Sequence, residues 1–237
     1  MQHPSSISLC QVLKKLHSFS IFQLKLGIRD TIIYLMKRQE IDMRNGFGAL
    51  MHRMNYINRW GLMRNSRSES LAEHSLSCAF IAHILACIAN TRFDADVDVE
   101  QVVCCAMYHD AAEILTGDMP TPVKYNNERV RDEVKKIEKV AQRHLIAMLP
   151  NDIAELASPA VTMENLSQRE KEIIKASDKL CALIKCLEEE AAGNTEFSSA
   201  KRSTIEILES DPLPETRLFL DEFIPAYSLT LDELMAL

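Results

Sequence analysis

The chain has 237 residues, of which 47% are hydrophobic and 26% charged, with only 6 glycines and 8 prolines and a net charge of −7. That length can bury one large core, and so few helix breakers favour long helices over many short strands. The acidic balance speaks against a nucleic-acid polymer as partner, although a cation or a single arginine can still receive a small anion.

Residues 1–42 are rich in Lys, Ser and Ile, and the first acidic residue is Asp30. A signal peptide fits poorly, because Lys25 interrupts the best apolar run and no small-residue cleavage site follows it. An acid-poor transit peptide fits the composition, and so does a true start at Met43 with residues 1–42 a mis-assigned or disordered extension. No run of about 18 apolar residues occurs, so no membrane span is expected. The seven cysteines form no C-x-x-C pair and read as reduced core thiols of a cytoplasmic protein.

The ordered domain is expected over residues 43–237, without an internal linker. Phe47, Leu50, Met51 and Met54 recur at helical spacing, and Asn58-Arg59-Trp60-Gly61 breaks that helix. A polar connection, Arg64 to Ser68, leads to Ser70-Leu71-Ala72-Glu73, a capping box that opens a helix to about Asn90. Asp98 with Gln101 opens the next helix, which is predicted to run to Gly117. Gly117 to Pro122 reads as a rigid loop, since neither proline continues a helix. A charged amphipathic helix follows over Glu128 to Leu149, with Val130, Val134, Ile137, Val140, Ala141 and Leu145 inward. A short helix is expected near Ile153 to Leu156. Ser167 and Glu170 cap a long helix ending at Gly193, and Glu188-Glu189-Glu190 reads as its solvated end. Helices over Phe197 to Leu208 and within Pro214 to Leu237 complete an all-α domain, the last capped by Thr230 and Glu233.

The chemistry concentrates in the second and third helices and in the one that starts at Ser167. His109-Asp110 falls inside a predicted apolar helix, where an aspartate is costly unless paired or coordinated. Glu113 lies one turn after His109, so all three can share a face. His74 is one turn into its helix; alone it reads as a capped surface histidine. Asp178 lies mid-helix among Ala176, Leu180 and Cys181; alone it reads as an ion pair with Lys175 or Lys179. Together these two His and two Asp have the composition of a mixed nitrogen and oxygen site for a divalent cation, and helix-borne ligands facing a bundle core can build one.

The order His74, His109-Asp110, Asp178 resembles the H…HD…D signature of the HD-domain phosphohydrolases. The surrounding segments Ile57-Asn58-Arg59-Trp60, Glu73-His74-Ser75-Leu76, Leu115-Thr116-Gly117-Asp118, Pro120-Thr121-Pro122-Val123-Lys124-Tyr125 and Lys185-Cys186-Leu187-Glu188-Glu189 are similar to the bacterial 5′-deoxynucleotidases of the YfbR type. The resemblance covers about residues 43–237 and leaves 1–42 outside it. It implies an HD-domain helical bundle that hydrolyses deoxyribonucleoside 5′-monophosphates and forms a homodimer. It also implies a divalent cation such as Co, Mn or Zn, held by His74, His109, Asp110 and Asp178. His74, Asp110 and Asp178 then also face the substrate. Glu113 becomes the general acid or base, Arg59 the phosphate clamp, and Trp60 the group that excludes a 2′-hydroxyl. Asp118, Met119, Pro120 and Thr121 match the substrate loop. Gly117-Asp118 is explained equally well as a helix end followed by a proline stop.

Two other classes remain open from the sequence. One is a different HD-type phosphohydrolase acting on a nucleoside triphosphate, a cyclic nucleotide or a guanosine polyphosphate. The other is a nucleotide sensor without turnover. A metalloprotease is excluded to the extent that H-E-x-x-H is absent.

Overall fold

A computed structural model describes residues 46–124 and 126–236, apart from the Thr121 side chain. The expectations for residues 1–42 lie outside these. The described residues contain no strand; Asn58 and Ser70 form a single isolated bridge.

The first element, α1 (Phe47–Met51), runs into a 3-10 turn over His52–Tyr56 and stops at Ile57, whose backbone is extended. Ser70 then opens α2 (Leu71–Arg92) with the expected capping box: its hydroxyl accepts the Glu73 N–H, and the Glu73 carboxylate accepts the Ser70 N–H at 2.7 Å. By length and apolar composition α2 could cross a bilayer, which a count of uninterrupted apolar residues misses, but more than half of it is buried inside the bundle. Cys78, Ile81, Ala82, Leu85 and Ala89 make α2 the core helix, packed between α3 (Val99–Tyr108), α8 (Gln168–Ala191) and α10 (Pro214–Glu222).

The helix predicted from Asp98 to Gly117 is broken. α3 ends at Tyr108, and α4 (Glu113–Thr116) is a separate turn. Between them Ala111 N–H bonds Tyr108 C=O at 2.9 Å and Glu113 N–H bonds Asp110 C=O at 2.9 Å. These tight i to i−3 closures turn His109 and Asp110 out of the helical register. Pro122 sits in a further helical turn, α5 (Thr121–Lys124), where an early proline loses no internal bond.

Asn127 caps α6 (Glu128–Ile146), which buries only Val134, Ala141 and Leu145. Ile137 and Val140 are exposed, against expectation, because the buried stripe runs i, i+7, i+11 and those two fall on its flank. The short helix expected near Ile153 is longer, α7 (Asn151–Thr162), and carries Pro159 in its last turns. α8 ends at Ala191, with Ala192 as its C-cap, before Gly193, whose φ of 77° is the left-handed stop that glycine allows. α9 (Ser198–Glu209) packs on α8, and α11 (Leu231–Leu234), with the Thr230–Glu233 box, closes the chain.

Glu170 ties two helix starts together. It completes the Ser167 capping box and also accepts the Asp98 N–H at 2.9 Å, while only 5% exposed. Those bonds outweigh burial and hold its carboxyl below the usual range. Glu170→Ala is expected to lower the unfolding free energy by about 2 kcal/mol, the sum of a lost cap and a stranded N–H. Urea denaturation checks this, and a loss below about 0.5 kcal/mol would contradict it.

Candidate metal centre

His74 comes from α2, His109 and Asp110 from the break after α3, and Asp178 from the middle of α8. One donor atom from each lies within 4.8 Å of all the others. His74 Nε2 is 3.3 Å from His109 Nε2, 3.2 Å from Asp178 Oδ1 and 3.5 Å from Asp110 Oδ2, and His109 Nε2 is 3.1 Å from Asp110 Oδ2. All four candidate ligands are therefore brought together, although His109 and Asp110 are not inside a helix.

The donor set fits a divalent cation. His109 Nδ1 lies 2.7 Å from the Ala106 carbonyl, which can only accept, so the ring proton belongs on Nδ1 and the Nε2 lone pair faces the cluster. Two imidazole nitrogens and two carboxylate oxygens then converge on one volume, an arrangement that repels itself unless positive charge lies among them. The same demand shows in the titration. Burial opposes charge on both imidazoles, yet Asp110 and Asp178 outweigh it and raise both pKa values. Burial likewise opposes ionisation of the two carboxyls, but the neighbouring imidazoles, helped at Asp178 by Lys179, hold them well below the usual carboxylate range. Asp178 thus meets both readings of its sequence position: Oδ1 faces His74, while Oδ2 accepts from Lys179 at 3.0 Å.

Arg59 spans the cluster. Its guanidinium lies 3.2 Å from Asp110, 3.8 Å from Asp178 and 3.3 Å from Glu69. The next residue, Trp60, has a φ of 58°, a costly conformation for a side chain of that size. Its backbone N–H donates to Asp118 Oδ2 at 3.0 Å, and this bond joins the Arg59-Trp60 segment to the loop that follows α4. Met119 and Pro120 continue that loop, half-buried, into α5; the Thr121 side chain is outside those described.

Glu113, at the head of α4, is 7% exposed; Oε1 lies 3.6 Å from Lys124 Nζ, and Oε2 is buried without a hydrogen-bond partner. Burial, seconded by Asp110 and opposed by Lys124, pushes its carboxyl up to about 8. The group of four donors that lie within 4.8 Å of one another does not include it.

Sequence reasoning missed four residues here. Glu69 braces Arg59, and Glu138 of α6 holds Lys124 at 2.8 Å. Lys185 and Glu189 form a buried ion pair, so Glu189 is no part of a solvated helix end. A charged residue spaced with Asp178 along one helical stripe was the available signal.

A family model described as 5′-deoxynucleotidase YfbR-like matches residues 46–227. The 5′-deoxynucleotidase YfbR of Escherichia coli is 46% identical over 188 residues, covering 79% of this chain and 94% of that protein. Among solved structures, an HD-domain phosphohydrolase from Listeria innocua superposes with a TM-score of 0.67 at 22% identity, covering 76% of this chain and 87% of its own. A cyanophage S-2L HD phosphohydrolase, DatZ, bound to dA and one catalytic Zn2+ ion, gives 0.55 at 20% identity, covering 77% and 96%. At these identities the two structures speak for the fold.

Two outcomes are expected of the cluster. His109→Ala and Asp178→Asn each weaken binding of Mn2+ by more than about a hundredfold in calorimetry, since even indirect partners of a metal ligand are worth 10- to 100-fold. An unchanged affinity would contradict the ligand set. In chelator, the raised imidazole values contribute stability that is full below about pH 6.5 and lost as pH rises through the folded values. Melting curves should therefore fall towards alkaline pH in chelator and stay flatter with Mn2+; parallel curves would contradict the charge balance.

Proposed function

The chain belongs to the YfbR-like 5′-deoxynucleotidase family, and from that premise we propose that it hydrolyses deoxyribonucleoside 5′-monophosphates to deoxyribonucleosides and phosphate, using a divalent cation held by His74, His109, Asp110 and Asp178. The observation that carries it is the convergence of those four donors with the unpartnered Glu113 oxygen on the segment that follows Asp110. The name of the E. coli relative and the dA and zinc carried by the phage protein support the same substrate class and cofactor type.

A divalent cation in this cluster would neutralise phosphate oxygens and make a coordinated water more acidic. The protein's own groups do the rest. Arg59 is braced by Glu69 and Asp110 so that its guanidinium is aimed before substrate arrives, and its fork can grip two phosphate oxygens. Glu113, protonated at neutral pH, can deliver its proton to O5′ as the P–O5′ bond breaks and then recover the proton that the attacking water releases, leaving a deoxyribonucleoside and inorganic phosphate. A carboxyl near 8 is matched to holding a proton at neutral pH.

Asp118 keeps Oδ1 for the 3′-hydroxyl while Oδ2 is fixed by the Trp60 N–H. The Trp60 indole, held edge-on against Phe197 at 5.2 Å, is rigid enough to exclude a 2′-hydroxyl, the role the family resemblance gives it. Met119 and Pro120 continue the loop beside this sugar site, and Thr121 is assigned to it on the family resemblance alone. A homodimer and a cytoplasmic location belong to the same proposal, the first on the family resemblance. The six described cysteines stand as free thiols, as a reducing compartment would leave them.

A phosphate-release panel of deoxy- and ribonucleoside 5′- and 3′-monophosphates with several divalent cations tests the reaction; selective release from the 5′-deoxy compounds is expected, and equal release from ribonucleotides would contradict the sugar site. Glu113→Gln should bind Mn2+ and nucleotide normally but lose about 10²- to 10⁴-fold in kcat. Near-normal turnover would remove Glu113 from the proton path.

A further inference from the structure

Lys185 and Glu189 follow Asp178 by seven and eleven residues, two and three helical turns further along the same stripe of α8. Both are almost fully enclosed, at 4% and 0% exposure, and their side chains are hydrogen-bonded to each other. A buried ion pair is a poor source of net stability against an apolar pair of similar volume, so its position calls for another explanation.

Their remaining bonds supply it. Lys185 Nζ donates to the Arg67 carbonyl at 2.6 Å, and Glu189 Oε2 accepts the Ser66 N–H at 2.8 Å and the Asn194 amide at 2.7 Å. The same Asn194 amide donates to the Arg64 carbonyl at 2.7 Å. The backbone of the 61–68 connection is thus held at three points, two by the end of α8 and one by Asn194 just beyond it. Asn65 carries the constraint back, donating to the Trp60 carbonyl at 3.3 Å, and Phe197 lies between Lys185 (5.7 Å) and the Trp60 ring. Trp60 is in a strained backbone conformation; its own turn supplies one bond, from the Met63 N–H to the Trp60 carbonyl at 2.9 Å, and the contacts through Asn65 and Phe197 restrain it from outside that turn.

We propose that the buried Lys185–Glu189 pair, with Asn194, is the positioning device for Arg59 and Trp60, and thereby sets the preference for deoxyribose over ribose. The specificity part rests on the nucleotidase assignment above; the positioning part does not.

The test compares the unaltered protein with Asn194→Ala, with Lys185→Arg and with the double variant Lys185→Met/Glu189→Leu, which leaves no stranded charge. Trp60 is the only tryptophan, so its emission and acrylamide quenching report its position without reference to activity. In the double variant, we expect red-shifted, more readily quenched emission, unchanged Mn2+ affinity, and a KM for a deoxynucleoside 5′-monophosphate raised about tenfold, in the range that misplacing a binding group by a fraction of an ångström produces. The ratio of kcat/KM for deoxy over ribo substrate should fall about tenfold. Asn194→Ala should move the same readouts less, and Lys185→Arg should restore most of them. A purely structural pair would lower the melting temperature and leave emission, KM and the ratio alike within twofold, which would overturn the proposal. Should the double variant fail to fold, the same criterion applies to Asn194→Ala. Absence of phosphate release by the unaltered protein would sink the assigned reaction, while the Trp60 emission still decides the anchor.

Discussion

Two carboxylates and two imidazoles meet inside this protein in a partly buried volume, and that gathering is tolerable only with positive charge in its midst. Arg59 supplies part of it from one side, within 3.2 Å of Asp110. Protons on the imidazoles or a divalent cation must supply the remainder. The rest of the molecule can be understood as the scaffolding that brings these four groups together from separate segments and keeps them from relaxing apart.

Three features of the fold serve that end. α2 and α8, the two longest helices among the described residues, pack against each other and place His74 and Asp178 in register. The break after Tyr108 turns His109 and Asp110 towards them, while the Ala106 carbonyl fixes the His109 tautomer. The segment before α2 is then drawn over the cluster by Arg59 and joined to the loop after α4 through the Trp60–Asp118 bond. The four donors, the Arg59 guanidinium and the Glu113 carboxyl thus come from elements that are each held from elsewhere, which is what preorganisation requires.

Much of this was legible in the sequence. Capping residues announced the starts of α2, α3, α8 and α11, because an N-cap bond is a local matter decided within four residues. The four ligand candidates were legible too, since His and Asp in apolar surroundings stand out against the cost of burying them. What escaped depended on contacts far apart in the chain. The stretch from Asp98 to Gly117 has helical periodicity throughout, and only the needs of the cluster explain why it breaks at His109. Ile137 and Val140 have the spacing of core residues, yet α6 has too narrow a contact to cover them. Glu189 looked like one of three solvated acids; its burial is decided by Ser66 and Asn194, one of them more than a hundred residues away.

The central claim is that one cation is held jointly by His74, His109, Asp110 and Asp178. Anomalous diffraction at the manganese edge from crystals grown with Mn2+ measures this directly. The account predicts a single strong peak within about 2.0–2.3 Å of one atom from each of the four side chains, the usual span for nitrogen and oxygen ligands. A peak elsewhere, or one that leaves either imidazole unbound, would contradict it.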